Sequence, residues 1–441
     1  MKLTKISSGM LALLIAATTA MTGCGDKQPS SSKTNSGTTE KPVIEFYHGY
    51  FQSKEEWPTA AVMRDIYDKF AKDNADKFTF KVNVVETGGE GIQTKCLQEV
   101  ANGSFPDMVD LGGYNCIPAA VAAKAVLDLK PYIDKDSSFK ANVGVNYEQN
   151  QINRGIYSIK EQIESIGFWY NEELFQKAQA DTPDKWKTWD DFDKAVDKLK
   201  GCKEVESPFT LAQGWPTNLL LTGNLMNSAE GRKLMSSPVP DFTNNAFKDT
   251  LNFITNSALK KVNSANFTPD DDTYRQNFIN GKSAMLFNGV WDASSFDAKA
   301  TKFKPAIFPT SEAGKKAAIV SAGAGLTISS KLSDAQKEAC VAFVKYMTSE
   351  EVAKRIFTEG LAMPSSSTFD YSKYLNDSNV GIKNLAAACQ LVQSADYKVK
   401  AIGATWGGDV EAAITGKYAQ LKDGSKTTDQ VINELKSIVA E

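Results

Sequence analysis

The chain reads as an α/β protein with a parallel-rich sheet, divided between two domains, and three observations lead there. Strand-like and helical patterns alternate along the first part of the folded body, which calls for βαβ crossovers and a sheet covered on both faces. The chain has 441 residues, more than a single hydrophobic core usually serves. After the leader, no apolar stretch approaches the length of a membrane span.

The elements follow in order. "PVIEFYHGYF" opens as a strand on Val43, Ile44 and Phe46, and "TAAVMRDIYDKFAKDNA" places Val62, Ile66 and Phe70 on one helical face. "FTFKVNVVET" alternates Phe78, Phe80, Val82 and Val84 as a strand should, a helix is expected over Ile92–Val100, and "PDMVDLGG" is a short apolar strand stopped by two glycines. From Tyr170 to about Lys316 the pattern is more helical. There "TWDDFDKAVDKLKG" has Thr188 as cap, Asp191 at the capping-box position, Trp189, Phe192, Val196 and Leu199 as the buried stripe and Gly201 as the stop. Strand patterns return in "SAMLFNGVW", "FKPAIFP" and "AIVSAGAGLTISS". Helices capped by Ser333 and Ser349 and a helical tail complete the chain.

The N-terminus has its own logic. Lys2 and Lys5 precede the apolar run Met10–Ala20, which is short for a bilayer span and reads as a secretory leader. Met21-Thr22-Gly23-Cys24 resembles a bacterial lipobox, with Met where Leu is commoner. Cleavage is expected after residue 23, with Cys24 lipidated as the new N-terminus and residues 24–42 a flexible tether too poor in apolar residues to pack. The exported protein is therefore expected on the outer face of the cell membrane.

Several functions are disfavoured. With 50 basic against 53 acidic side chains and no basic cluster, nucleic acid is not an expected partner. His48 is the sole histidine, so a histidine-rich zinc site is out and no metal is expected. "GGEGIQTK" and "NGKS" each lack part of a phosphate-loop motif, and no G-x-S-x-G elbow occurs. Nothing indicates catalysis or a cofactor. Cys96, Cys116, Cys202, Cys340 and Cys389 are too scattered for a disulfide framework; one or two bridges at most are expected, with the pairing left open.

Four segments in order resemble the extracellular solute-binding proteins of ABC importers, in the sugar-binding family typified by maltose-binding protein. They are "ESIGFWYNEELFQKA", "TPDKWKTWDDFDKAVDKL", "QNFINGKSAMLFNGVWD" and the passage from "GAGLTISS" to "GLAMPSSS". The resemblance runs from Val43 to the C-terminus. It implies a two-lobed periplasmic-binding-protein-like fold with hinge crossings: one lobe from residues 43–158 and 321–365, the other from 159–320 and 366–441. It also implies an oligosaccharide ligand, permease subunits as partners, a monomer and no enzymatic activity. An anchored carbohydrate-active enzyme and a ligand sensor on the same fold are the alternatives.

The resemblance and the chemistry of sugars together suggest a site, because sugar rings offer hydroxyls to polar groups and C–H faces to aromatic rings. Trp291 and Asp292 lie in the "NGVWD" motif, Trp406 begins a late helix in "GATWGGD", and Trp215 sits in "AQGWPTN". His48, Tyr50, Tyr114 and Asn115 follow strand ends, where open α/β sheets bind ligands. Glu164 matches a carboxylate that faces sugar hydroxyls in the family, and Gly323 lies in the glycine-rich strand. His48 equally suits a bond to local backbone, and Trp169, Trp186 and Trp189 read as core.

Overall fold

A computed structural model describes residues 41–268, 271–296 and 301–439. The leader, Cys24 and most of the tether lie outside them. The first sheet is built from β1 (Val43–His48), β2 (Thr79–Val84), β3 (Met108–Gly113) and the strand Ala324–Ile328, with β1 between β2 and β3. β1 runs parallel to both neighbours, with Phe46 opposite Val82 and Met108, while Ala324–Ile328 closes the edge antiparallel to β3. The connections are the expected helices, α1 (Pro58–Asp73) and α2 (Gly88–Ala101). Pro58 suits the first turn of α1, where its missing N–H has no intrahelical partner to lose. One face of α1 buries Met63, Ile66, Tyr67 and Phe70 in a core shared with Ile44, Phe46, Phe343 and Met347.

The second lobe is mixed. Strand Lys316–Ser321 pairs parallel with Tyr397–Val399 and antiparallel with Glu164–Ile166 and Phe308–Pro309. Phe168–Asn171 lies between Met285–Leu286 and Phe303–Ala306, antiparallel to both. Its core is rich in aromatic rings, with Trp186, Trp189, Phe192 and Phe209 packed together and Trp169 fully buried in the adjoining cluster. The helix Trp189–Gly201 starts as the sequence suggests: the Asp191 carboxylate accepts N–H groups from Lys187 at 2.9 Å and Thr188 at 3.3 Å. The Ser333 and Ser349 hydroxyls likewise accept from the third residue of their helices.

Two sequence expectations are refined. "SAMLFNGVW" keeps only Met285–Leu286 as strand. Asn288 then turns the chain by accepting the N–H of Gly289, and a 3-10 turn over Val290–Ser295 follows. "AIVSAGAGLTISS" is two strands in two different sheets, broken at Ala322-Gly323, where Gly323 adopts φ +58°. That left-handed conformation favours glycine and lets the chain pass from one sheet to the other. The described cysteines are all free thiols.

Three segments lie side by side between the two main sheets. Ile159 and Leu326 exchange backbone hydrogen bonds of 3.1 and 2.8 Å, and the N–H of Ser365 donates to Glu161 O at 2.9 Å. Fully buried Asn146 staples the first segment by donating to Lys160 O and accepting Lys160 N–H, both at 2.9 Å. Not every element belongs to one lobe. Helix Glu350–Thr358 turns Val352 and Ile356 toward the first-sheet core, and Ala353 and Phe357 toward the second-lobe cluster.

A Cβ on Gly325 would lie 2.5 Å from Ile159 O and 2.7 Å from Lys160 Cα, and backbone atoms cannot move aside as side chains can. Gly325→Ala is therefore expected to destabilise by about 1–3 kcal/mol in urea unfolding. Gly201→Ala meets nothing within 4 Å. It should be neutral or stabilise by up to about 1 kcal/mol, as reduced freedom of the unfolded chain predicts.

Candidate functional site

The C-terminal ends of β1 and β3 and the start of α2 converge on glycines. A Cβ on Gly49 would fall 2.6 Å from the backbone of Gly88, and one on Gly89 would fall 2.8 Å from Leu111 O and from the Tyr114 ring. The main chains approach so closely that side chains are excluded, leaving a bare surface where the strands end. Two rings flank it in the open: Phe51, 44% exposed, beside Gly88, and Tyr114, 46% exposed, beside Gly89. Asn115 is exposed and its Oδ1 accepts from Ile117 N–H at 3.1 Å.

Beneath this surface lies a buried polar network. Lys160 Nζ reaches the Tyr50 hydroxyl at 3.0 Å, Glu161 Oε1 at 3.2 Å and Asp110 Oδ1 at 3.4 Å. Tyr67 donates to Asp110 Oδ2 at 2.9 Å, and Gln162 Nε2 donates to the Tyr50 hydroxyl at 2.7 Å. Burial alone would pull the Lys160 ammonium down, but Asp110, Glu161 and Tyr50 reverse this and hold it well above its ordinary value. Burial and the nearby Asp110 push the Glu161 carboxyl up against the pull of Lys160. His48 belongs to this interior. It shares the inward face of β1 with Ile44 and Phe46, is wholly buried, and accepts the Tyr50 N–H on Nδ1 at 3.2 Å. The local-backbone alternative for His48 thus describes its position.

The second lobe contributes an aromatic pair and carboxylates. Trp215 and Trp291 are both part-buried, with ring centroids 6.2 Å apart and planes at 42°. The Trp291 ring lies over Gly289, where a Cβ would be 2.3 Å away, and Gly289 bridges to Ile166. Glu164 is two residues back along that strand, about 7 Å away. It is open to solvent, with Oε1 beside Gly113 of the first lobe. Asn218 lies one helical turn after Trp215 and donates to Glu411 Oε1 at 3.4 Å. Loss of water raises both carboxyls; Lys160 partly offsets this for Glu164, and Glu411 adds to it. Side by side, the lobes present exposed rings and hydrogen-bond acceptors, a surface suited to a polar, hydroxylated molecule with apolar faces.

The structure thus sets Trp215 against Trp291 in the second lobe, and places Glu164, Gly323, Tyr114 and Asn115 around the glycines that end β3, with a Cβ on Gly323 3.4 Å from Gly113 Cα. His48, Tyr50, Trp406 and Asp292 are buried instead. Trp406 is 7% exposed, packed against Phe242 and Phe247, and donates Nε1–H to Ser237 O at 3.1 Å. Asp292 is buried and accepts from Arg275 Nε at 2.9 Å. Tyr50, 3% exposed, holds the network below the surface. Sequence reasoning passed over Phe51, Asn218 and Glu411. Phe51 had a usable signal, following the same strand end as Tyr50, whereas Glu411 resembles any acid in the first turn of a helix.

The fold and this junction define a two-lobed α/β binding protein. A family model for bacterial extracellular solute-binding proteins matches residues 65–377, and the chain belongs to that family. The multiple sugar-binding protein of Streptococcus mutans is 24% identical over 379 residues, which cover 79% of this chain and 80% of that protein. A Streptococcus pneumoniae solute-binding protein, solved in complex with the blood group A-trisaccharide, is 36% identical with a TM-score of 0.76, covering 90% of this chain and 99% of that one. The sugar-binding protein MalE of Xanthomonas citri, 16% identical, shares the fold with a TM-score of 0.70 over 90% of this chain and 96% of its own.

Burial lowers the His48 pKa from 6.5 to about 4; Asp110 opposes the shift and Arg64 adds to it. The unfolded chain takes up this proton near 6.5 and the folded chain only near 4, so the contribution is complete above 6.5 and falls as pH drops between the two. His48→Gln should flatten the acid side of the stability curve over that interval, by on the order of 3 kcal/mol at most. Parallel urea titrations of both proteins from pH 7 to pH 4 check it; identical slopes would refute it.

Proposed function

We propose that this solute-binding protein captures an extracellular oligosaccharide between its lobes and passes it to the membrane permeases of an ABC importer. The observation that carries the reading is the part-exposed Trp215–Trp291 pair in the second lobe, together with the exposed Glu164 carboxylate set against Gly113 of the first. Indole faces pack on the C–H faces of sugar rings while carboxylates accept their hydroxyls. The ligands named for the S. mutans and S. pneumoniae relatives point the same way.

The lobes of this reading are residues 43–158 with 321–365, and 159–320 with 366–441. They rotate about the three adjacent segments near Ile159, Leu326 and Ser365 when ligand is held. The protein works as a monomer and without catalysis. It is lipidated on Cys24, so that residues 24–42 tether the binding body to the outer face of the membrane.

Replacing Trp291 with Ala removes packing over on the order of 40–80 Å² of apolar surface, or about 1–2 kcal/mol. Calorimetric titration against oligosaccharides that the wild type binds should show affinity about 5- to 30-fold weaker, with little change in melting temperature. Trp406→Ala should instead cost about 3–5 kcal/mol of stability, because its ring is enclosed. A Trp291→Ala protein that melts early yet binds normally in its folded fraction would remove that ring from the site.

Lipidation is tested separately. Cys24→Ala should be released into the medium or fail to mature, whereas the unaltered chain should partition with membranes. Finding the unaltered chain uncleaved and free in the medium would overturn the anchor.

A further inference from the structure

We propose that Glu164 and Glu411 make the cleft selective for neutral oligosaccharides, excluding those with a carboxylate or phosphate on the ring held between them. The inference rests on the oligosaccharide reading above and assigns Glu411 as a specificity-determining residue.

A short run of contacts links the two carboxylates. Glu164 is the strand partner of Ser321, and the Ser321 hydroxyl accepts the Ala401 N–H at 3.0 Å. Ala401 caps the helix Ile402–Trp406, whose Gly403 lies directly against Glu411: a Cβ there would be 2.2 Å from Oε2. The other oxygen of Glu411 takes a long 3.4 Å bond from Asn218, itself fixed by the Tyr418 hydroxyl. Glu164 also faces a residue without a side chain, Gly113. Glu411 is thus held by Asn218, Glu164 is fixed through its strand pairing, and each has glycine beside it where a side chain would crowd the space.

The nearby cations are engaged elsewhere. Lys160 is buried among Asp110, Glu161 and Tyr50, and Lys400 donates to Gln149 O at 2.7 Å. Loss of water raises both acids; the Lys160 charge pulls Glu164 part of the way back and the charge of Glu411 pushes it up, while Asn218 offsets the rise of Glu411. A hydroxyl donated to either carboxylate forms a charge-assisted bond. An anion on the same ring meets the negative charge of both carboxylates.

The test uses a neutral trisaccharide bound by the wild-type protein and its counterpart with one ring oxidised to the uronic acid. At pH 7.5 and low salt, the wild type should bind the neutral sugar at least about 30-fold more tightly, as like-charge juxtaposition costs predict. Glu411→Gln and Glu164→Gln, each checked for unchanged melting, should weaken the neutral sugar several-fold and bind the uronate better, so the ratio shrinks. Added salt should shrink it in the wild type too. Equal wild-type affinity for both sugars, or variants that weaken both in parallel, overturns the selectivity and leaves the oligosaccharide reading standing. If no neutral oligosaccharide binds while a non-sugar solute does, that reading falls and the selectivity with it.

Discussion

Lys160 is the side chain on which the junction depends. Its ammonium is almost wholly buried, and such a charge persists only with partners close by. Those partners come from the segment just after β1 through Tyr50, from β3 through Asp110, and from its own segment through Glu161. Tyr67 adds α1 by bonding the far oxygen of Asp110. One cation therefore fixes two strand ends and a helix relative to the segment that leaves the first lobe. Replacing it with an apolar group would leave Asp110 and Glu161 facing each other without compensation.

The glycine-lined surface above follows from the same constraint. β1 and β3 are held at their C-terminal ends, so their backbones and the start of α2 meet at distances that no Cβ could share. The exposed rings of Phe51 and Tyr114 border a floor that belongs to the main chain. The second lobe has the reverse construction, with the side chains of Trp215, Trp291, Glu164 and Glu411 carried on short strands and helix ends. A polar, many-hydroxyl ligand would meet main chain and flanking rings on one side, indoles and carboxylates on the other.

Much of this was legible in the sequence. Alternating periods announced β1, α1, β2 and β3, because each element has one face in a core and its pattern follows the geometry. Capping at Asp191 and Ser333 was legible for the same local reason. Burial of single polar or aromatic residues was less so. Trp406 sits in a motif that suggested a ligand ring, yet Phe242 and Phe247, over 150 residues away in the chain, enclose it. Asp292 is taken by Arg275, and no spacing rule announces that pair. His48 could have been placed correctly, since it continues the inward phase of Ile44 and Phe46. Glu411 had no signal at all, because its place opposite Glu164 exists only once Ser321 and Gly403 are brought together.

The helix Glu350–Thr358 has a mechanical consequence. With Val352 and Ile356 in one core and Ala353 and Phe357 in the other, it cannot ride entirely with either lobe. Any relative rotation must shear one of its two faces against its packing, so apolar contact is traded at every angle. In that arrangement the two bodies are geared through the helix rather than hung on a slack joint, because two unrelated hydrophobic surfaces share the roughly two and a half turns of a nine-residue element.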